Sequence, residues 1–163
     1  MTLLDPVETL RRVAFFAVLP ADELRVLACH CAARRLGKDE MLVAEGDPCD
    51  GLFVVQSGAI KIFKMAENGR EQVLVIERAG STVGELSIFD GGNFPASAAA
   101  VEDSTLLFLP KKEFLDCAAA IRKWPSPLSA PWRGGFGTLR IWSRNYRSKR
   151  SATGWRGSCV TAR

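Results

Sequence analysis

The chain has 163 residues, 47% of them hydrophobic and 25% charged, with a formal net charge of +4. That length supports one domain with a real core plus a modest appendage, and the composition is ordinary for a soluble globular protein. No apolar run reaches the roughly 20 residues that cross a bilayer. The opening MTLLDPVETLRR lacks the basic-then-apolar layout of a signal peptide, so the expected compartment is cytoplasmic, with no membrane partner. Five cysteines in no paired spacing fit reduced thiols better than a disulfide framework.

The net charge hides a split. Residues 1–120 hold twelve Lys and Arg against all eighteen Asp and Glu, a net of −6. Residues 121–163 hold the other ten basic residues and no acid, a net of +10, together with all four tryptophans. A break of this kind marks a boundary between segments of different character.

In chain order, Asp5-Pro6-Val7-Glu8 reads as a helix start: Asp5 caps, Pro6 suits the first helical position and Glu8 completes a capping box. A second helix is expected from Ala21 to about Ala33, with Leu24, Val26, Leu27 and Cys31 on its apolar face. From Lys38 onward the period shortens to brief apolar runs punctuated by Gly, Asp and Asn, the pattern of short strands joined by tight turns. Asn68-Gly69 between GAIKIFKM and REQVLVIE predicts a hairpin in which both turn residues take positive φ. A short helix is expected near Glu85. ASAAAVEDSTLLFLP supplies two more strands around Glu102-Asp103, and KKEFLDCAAA begins a helix. Helices, about eight strands and a helix suit a closed or double-layered β-roll.

These residues resemble the cyclic-nucleotide-binding domain of the catabolite-activator and FNR-type (Crp/Fnr) bacterial transcription regulators. The pieces that carry the resemblance are FFAVLPADELRVLA, EGDPCDGLFVVQSGAIKIFK, NGREQVLVI, GELSIFDGG and ASAAAVEDSTLLFLPKKEFL, in the family's order over about residues 13 to 118. The resemblance implies a mainly β fold, a double-stranded β-helix (jelly-roll-like β-roll) with flanking N- and C-terminal helices, that senses a small-molecule effector and is not an enzyme. In the family a long dimerisation helix and a helix-turn-helix DNA-binding domain follow.

The stretch GELSIFDGGNFPASAAA carries the candidate ligand-binding residues Gly84, Glu85, Leu86, Ser87, Phe94, Pro95, Ala96 and Ser97. Gly84 lets a backbone approach a ligand, and the N–H groups of a helix starting near Glu85 would face an anion. The resemblance implies a ribose contact for Glu85 and a phosphate-binding Arg near the end of the loop. That Arg position falls on Phe94 by one alignment and on Pro95 by the other. Neither carries charge, and the missing charge-assisted pair makes cyclic AMP an unexpected ligand in the family's usual mode. Branches of the family without this Arg sense other effectors, including haem-bound gases, so haem is a candidate cofactor and His30 its candidate ligand. Read without the family, Glu85 caps a helix and Ser97 is a small strand residue. Cys29-His30-Cys31 does not converge on one metal ion, because neighbouring side chains on a helix splay apart. A lone histidine also argues against a cupin-like metalloenzyme.

Beyond Ala120 the family would continue its long helix, but Pro125, Pro127 and Pro131 interrupt it. Three readings compete: a basic, Trp-rich nucleic-acid-binding tail, a disordered linker, and a frameshift, which is preferred. Codons for Ile121 to Pro125 read one base earlier can spell His-Pro-Glu-Val-Ala. Those for Ile141 to Lys149, shifted likewise, can spell His-Leu-Val-Glu-Glu-Leu-Ser-Leu-Lys, an acidic amphipathic helix. On this reading residues 1–120 are the sensor, residues 121–163 have no recognisable fold and no helix-turn-helix is present. The family's homodimer gives way to a chain that can be monomeric, and DNA binding is non-specific at most. The alternative class is a stand-alone cyclic-nucleotide-binding module acting on a protein partner.

Overall fold

The computed structural model describes residues 5–14, 16–90 and 92–120. The expectations for residues 121–163, the frameshift and the missing helix-turn-helix among them, lie outside the described residues.

Helix α1 spans Pro6–Arg11 and is capped as its sequence predicts: the Val7 amide donates to Asp5 Oδ1 at 2.9 Å, with Pro6 in the first turn. Glu8 pairs with Arg11 at 3.3 Å instead of closing a capping box. Helix α2 (Ala21–His30) is shorter than expected. Cys31 is already extended, and β1 (Ala32–Leu36) begins where the helix was expected to continue. The strand wins because β8 (Ser104–Pro110) offers its edge, and Ala32 to Leu36 pair with Phe108 to Ser104 in antiparallel register. A ladder of backbone hydrogen bonds outweighs the helix propensity of two alanines and two arginines.

The remaining strands are β2 (Met41–Val43), β3 (Gly51–Ser57), β4 (Ala59–Met65), β5 (Glu71–Arg78), β6 (Thr82–Val83) and β7 (Ser97–Ala100). They form two four-stranded antiparallel sheets, ordered β1-β8-β3-β6 and β2-β7-β4-β5. The mainly β, jelly-roll-like β-roll expected from the sequence is therefore the observed fold. Leu106, Val55 and Phe53 of the first sheet share one apolar core with Ile60, Ala98 and Ala100 of the second. Alanines in β7 keep the small end of the roll narrow: Ala98, Ala99 and Ala100 are all buried.

The β4–β5 hairpin forms at Asn68-Gly69, but only Gly69 (φ +76°) takes positive φ; among the described non-glycine residues only Asp39 does. The Gly69 amide donates to Ala66 O at 2.9 Å and the Ala66 amide to Arg70 O at 2.8 Å. Five residues, Ala66 to Arg70, thus connect the strands instead of the two-residue turn expected, and Asn68 does not adopt αL but accepts from the Arg70 amide through its Oδ1.

The helices close one face of the first sheet. Helix α4 (Lys111–Ala120) places Phe114 edge-on to Phe16, with ring centroids 6.0 Å apart. Gln56 Nε2 on β3 donates to Thr9 Oγ1 on α1 at 3.0 Å, both side chains being buried. Among the described residues Cys31, Cys49 and Cys117 are free thiols. Among the described residues no helix is long and apolar enough to cross a membrane.

Candidate effector site

The site is assembled where β6 runs into the short helix α3 (Glu85–Asp90) and the following loop returns to β7. Gly84 makes the corner at φ +102°. A Cβ there would lie 3.1 Å from Gly51 O and 3.1 Å from Phe94 Cε1, so both the backbone angle and the space demand glycine. The Ile88 amide donates to Gly84 O at 3.1 Å and starts the helix.

Phe94 is brought directly against this corner. Its ring lies over Gly84 and is only 5% exposed. Two backbone hydrogen bonds hold it there, from the Phe94 amide to Asp47 O and from the Gly46 amide to Phe94 O, both 2.9 Å. The neighbouring Pro95 is exposed. Of the two candidate positions for a phosphate-binding cation, the inward one therefore holds a benzyl group and the outward one a proline.

Glu85 does not wait with a free carboxylate. Its Oε2 accepts from Thr82 Oγ1 at 3.1 Å. Burial pushes its pKa up, hydrogen bonds from its own amide and from Thr82 pull it down, and the nearby Glu77 carboxylate on β5 raises it further. Among the described residues the charged group that acts on it is another acid, Glu77. Thr82 and Glu77 are members of this site that sequence reading missed. Sequence offers no local sign of Glu77, which approaches from another strand.

The other predicted residues divide. Ser87 is 3% exposed and its Oγ has no hydrogen-bond partner among the described residues. Ala96 is buried. Ser97 faces away toward β2, where its Oγ accepts from the Glu45 amide at 2.9 Å, so it serves the turn before Asp47. Leu86 lies in α3, and nothing is described of its side chain. Gly84, Phe94 and Glu85 thus share the corner, whereas Pro95 and Ser97 are turned elsewhere.

His30, the candidate haem ligand, ends α2 with Nε2 enclosed and 3.7 Å from Glu113 Oε2 on α4. Iron at that nitrogen would have to compete with the Glu113 carboxylate. Among the described residues no group of three His, Cys, Asp or Glu could hold a metal ion.

The raised pKa of Glu85 has a consequence for stability. A carboxyl whose pKa the fold raises contributes stability that is fully present below the unfolded pKa of about 4.3 and is lost as pH rises through the folded value. Glu85→Gln keeps an oxygen for the Thr82 hydroxyl. It should stabilise the protein at about pH 7 and leave it unchanged at about pH 3. Denaturant titrations at the two pH values check this; equal stability of the two proteins at neutral pH would contradict the burial of an ionisable group.

The two antiparallel sheets, the Gly-Glu corner and the short helix after it define a β-roll sensor module. The family model for the cyclic nucleotide-binding domain matches residues 33–120. The chain belongs to that family, and its curated relatives are Crp/Fnr-type transcription regulators. It is 32% identical over 110 residues to the cyclic AMP receptor protein of Thermus thermophilus, covering 68% of this chain and 50% of that one. It is 38% identical over 77 residues to the transcriptional activator protein anr of Pseudomonas aeruginosa, covering 47% of this chain and 31% of that one. Among solved structures, the N-terminal domain of a transcriptional regulator from Streptomyces coelicolor matches with a TM-score of 0.62 at 32% identity, covering 68% of this chain and 79% of that one. The chain spans about half the length of the Thermus relative.

Proposed function

We propose that residues 1–120 form the effector-sensing domain of a cytoplasmic, non-enzymatic transcription regulator of the Crp/Fnr type, and that its effector is not gripped through a phosphate–guanidinium pair. The reading is supported by the family match, the regulator relatives and one structural observation that carries the second half. The buried ring of Phe94 lies against Gly84, where a cyclic phosphate would need a cation. The Glu77 carboxylate, which raises the pKa of Glu85, adds like charge that would repel a phosphate. The Thermus relative is named for binding cyclic AMP; this chain keeps the corner and the helix of such a site without its anion partner.

Isothermal titration of the chain with cyclic AMP tests the reading. We expect no site of micromolar affinity or tighter. A site of that strength would show that the phosphate is held by other means, and the reading would fail.

A further inference from the structure

Next to the Gly84 corner, and sharing Gly51 and Phe94 with it, a cleft of about 480 Å³ opens between β1, the end of β8, the start of β3 and the β2–β3 turn. That volume is in the range of small-molecule sites, roughly 300–1,000 Å³. Its walls include Phe53, Phe94 and Phe108, the Arg34 side chain, and Asp47 and Asp50. The register explains the grouping. Phe53 and Phe108 are cross-strand partners, with ring centroids 5.1 Å apart, and Arg34 stands two residues along β1 from Ala32, the partner of Phe108.

The cleft is kept open by small residues. A Cβ on Gly51 would come within 2.6 Å of Phe108 Cζ, so the Phe108 ring lies across the strand only because position 51 is glycine. The Arg34 guanidinium sits 5.7 Å above the Phe53 ring and has no acidic partner among the described residues. Across the cleft, Asp47 is anchored by the Ala44 amide at 2.9 Å, whereas the Asp50 carboxylate accepts no hydrogen bond among the described residues.

We propose that this cleft binds a zwitterionic molecule of the aromatic amino-acid class. The three phenyl rings would sandwich a planar ring, Arg34 would take its carboxylate, and Asp50, with Asp47 behind it, would take its ammonium. The charge balance selects this class. One cation against two carboxylates repels a phosphate ester, and a purely cationic amine leaves the guanidinium unpaired. A purely anionic aromatic acid leaves Asp50 unpaired. Only a ligand carrying both charges and a ring uses every group present. The proposal does not depend on which effector the Gly84 corner senses.

Calorimetric titration of the full chain with L-tryptophan is the test, with tryptamine (no carboxylate), indole-3-propionate (no ammonium) and L-alanine (no ring) as comparison ligands. L-tryptophan should bind at least about tenfold more tightly than any of the three. Arg34→Gln should weaken L-tryptophan about tenfold and leave tryptamine unchanged, and Asp50→Asn should weaken L-tryptophan while leaving indole-3-propionate unchanged. Both residues are exposed, so neither change threatens the fold. Glu85→Gln, in the corner beyond Phe94, should leave L-tryptophan binding unaltered. Absence of heat up to about 10 mM L-tryptophan, or an affinity indifferent to Arg34→Gln, would overturn the proposal.

Discussion

Phe94→Arg is expected to raise the affinity for cyclic AMP by about 30- to 150-fold, equivalent to about 2–3 kcal/mol. The argument starts from where the ring lies. Phe94 is held against Gly84 by two backbone hydrogen bonds to the Asp47 turn, and a longer side chain at the same Cα would start from the same place. A guanidinium there could make a bidentate, charge-assisted pair with a cyclic phosphate in a partly dry site. The substitution should also cost stability in the absence of ligand. An apolar group that is 5% exposed would be replaced by a buried charge without a dedicated partner. Cyclic AMP should restore much of that loss, because a ligand that binds only the folded state stabilises it. Thermal melts with and without nucleotide, alongside calorimetry, read both effects. If the variant folds and gains no affinity while Pro95→Arg does, the cation position belongs to the exposed residue 95 and the register used here is wrong.

Phe114→Ala should destabilise the domain by about 3–5 kcal/mol, a large fraction of the roughly 5–15 kcal/mol that holds a domain of this size together. Phe114 is 1% exposed and meets Phe16 edge to face, which joins α4 to the segment between α1 and α2. Removing the ring leaves a cavity in the core that Phe114 shares with Phe16. Because α4 is the last element of the described domain, the measurement also asks whether this helix belongs to the cooperative unit. Urea unfolding followed by circular dichroism checks it. A loss below about 1 kcal/mol would show that α4 is docked but not integral.

How far the sequence revealed this depends on how local each determinant is. The Gly84 corner, the short helix at Glu85 and the turn at Gly69 rest on chemistry within a few residues, and each was visible in the chain. Strand β1 was hidden because Ala32-Ala33-Arg34-Arg35 has no period-two pattern: all four residues are exposed, and the strand exists through pairing with β8, about seventy residues on. The same reason explains the overlong α2. At the site, GELSIFDGGNFP revealed that a cation was missing, but not what replaced it. The burial of Phe94 depends on a backbone pairing with Asp47 that no local rule predicts. Ser97 was expected among the ligand-binding residues, and its hydroxyl accepts from the Glu45 amide, a partner 52 residues away that spacing does not predict. Thr82 reaches Glu85 across the three residues of the corner, whereas the influence of Glu77 comes from another strand that spacing does not reveal.

The most direct measurement of the central claim is the ratio of affinities of the wild-type chain for cyclic AMP and for adenosine, obtained in one buffer by competition calorimetry. The two ligands share base and ribose and differ in the cyclic phosphate, so the ratio isolates what the site gives to that group. With the buried Phe94 ring against Gly84, cyclic AMP should bind no more tightly than adenosine. A preference for cyclic AMP of about tenfold or more, worth about 1.4 kcal/mol, would mean that the phosphate is recognised after all and would contradict the account.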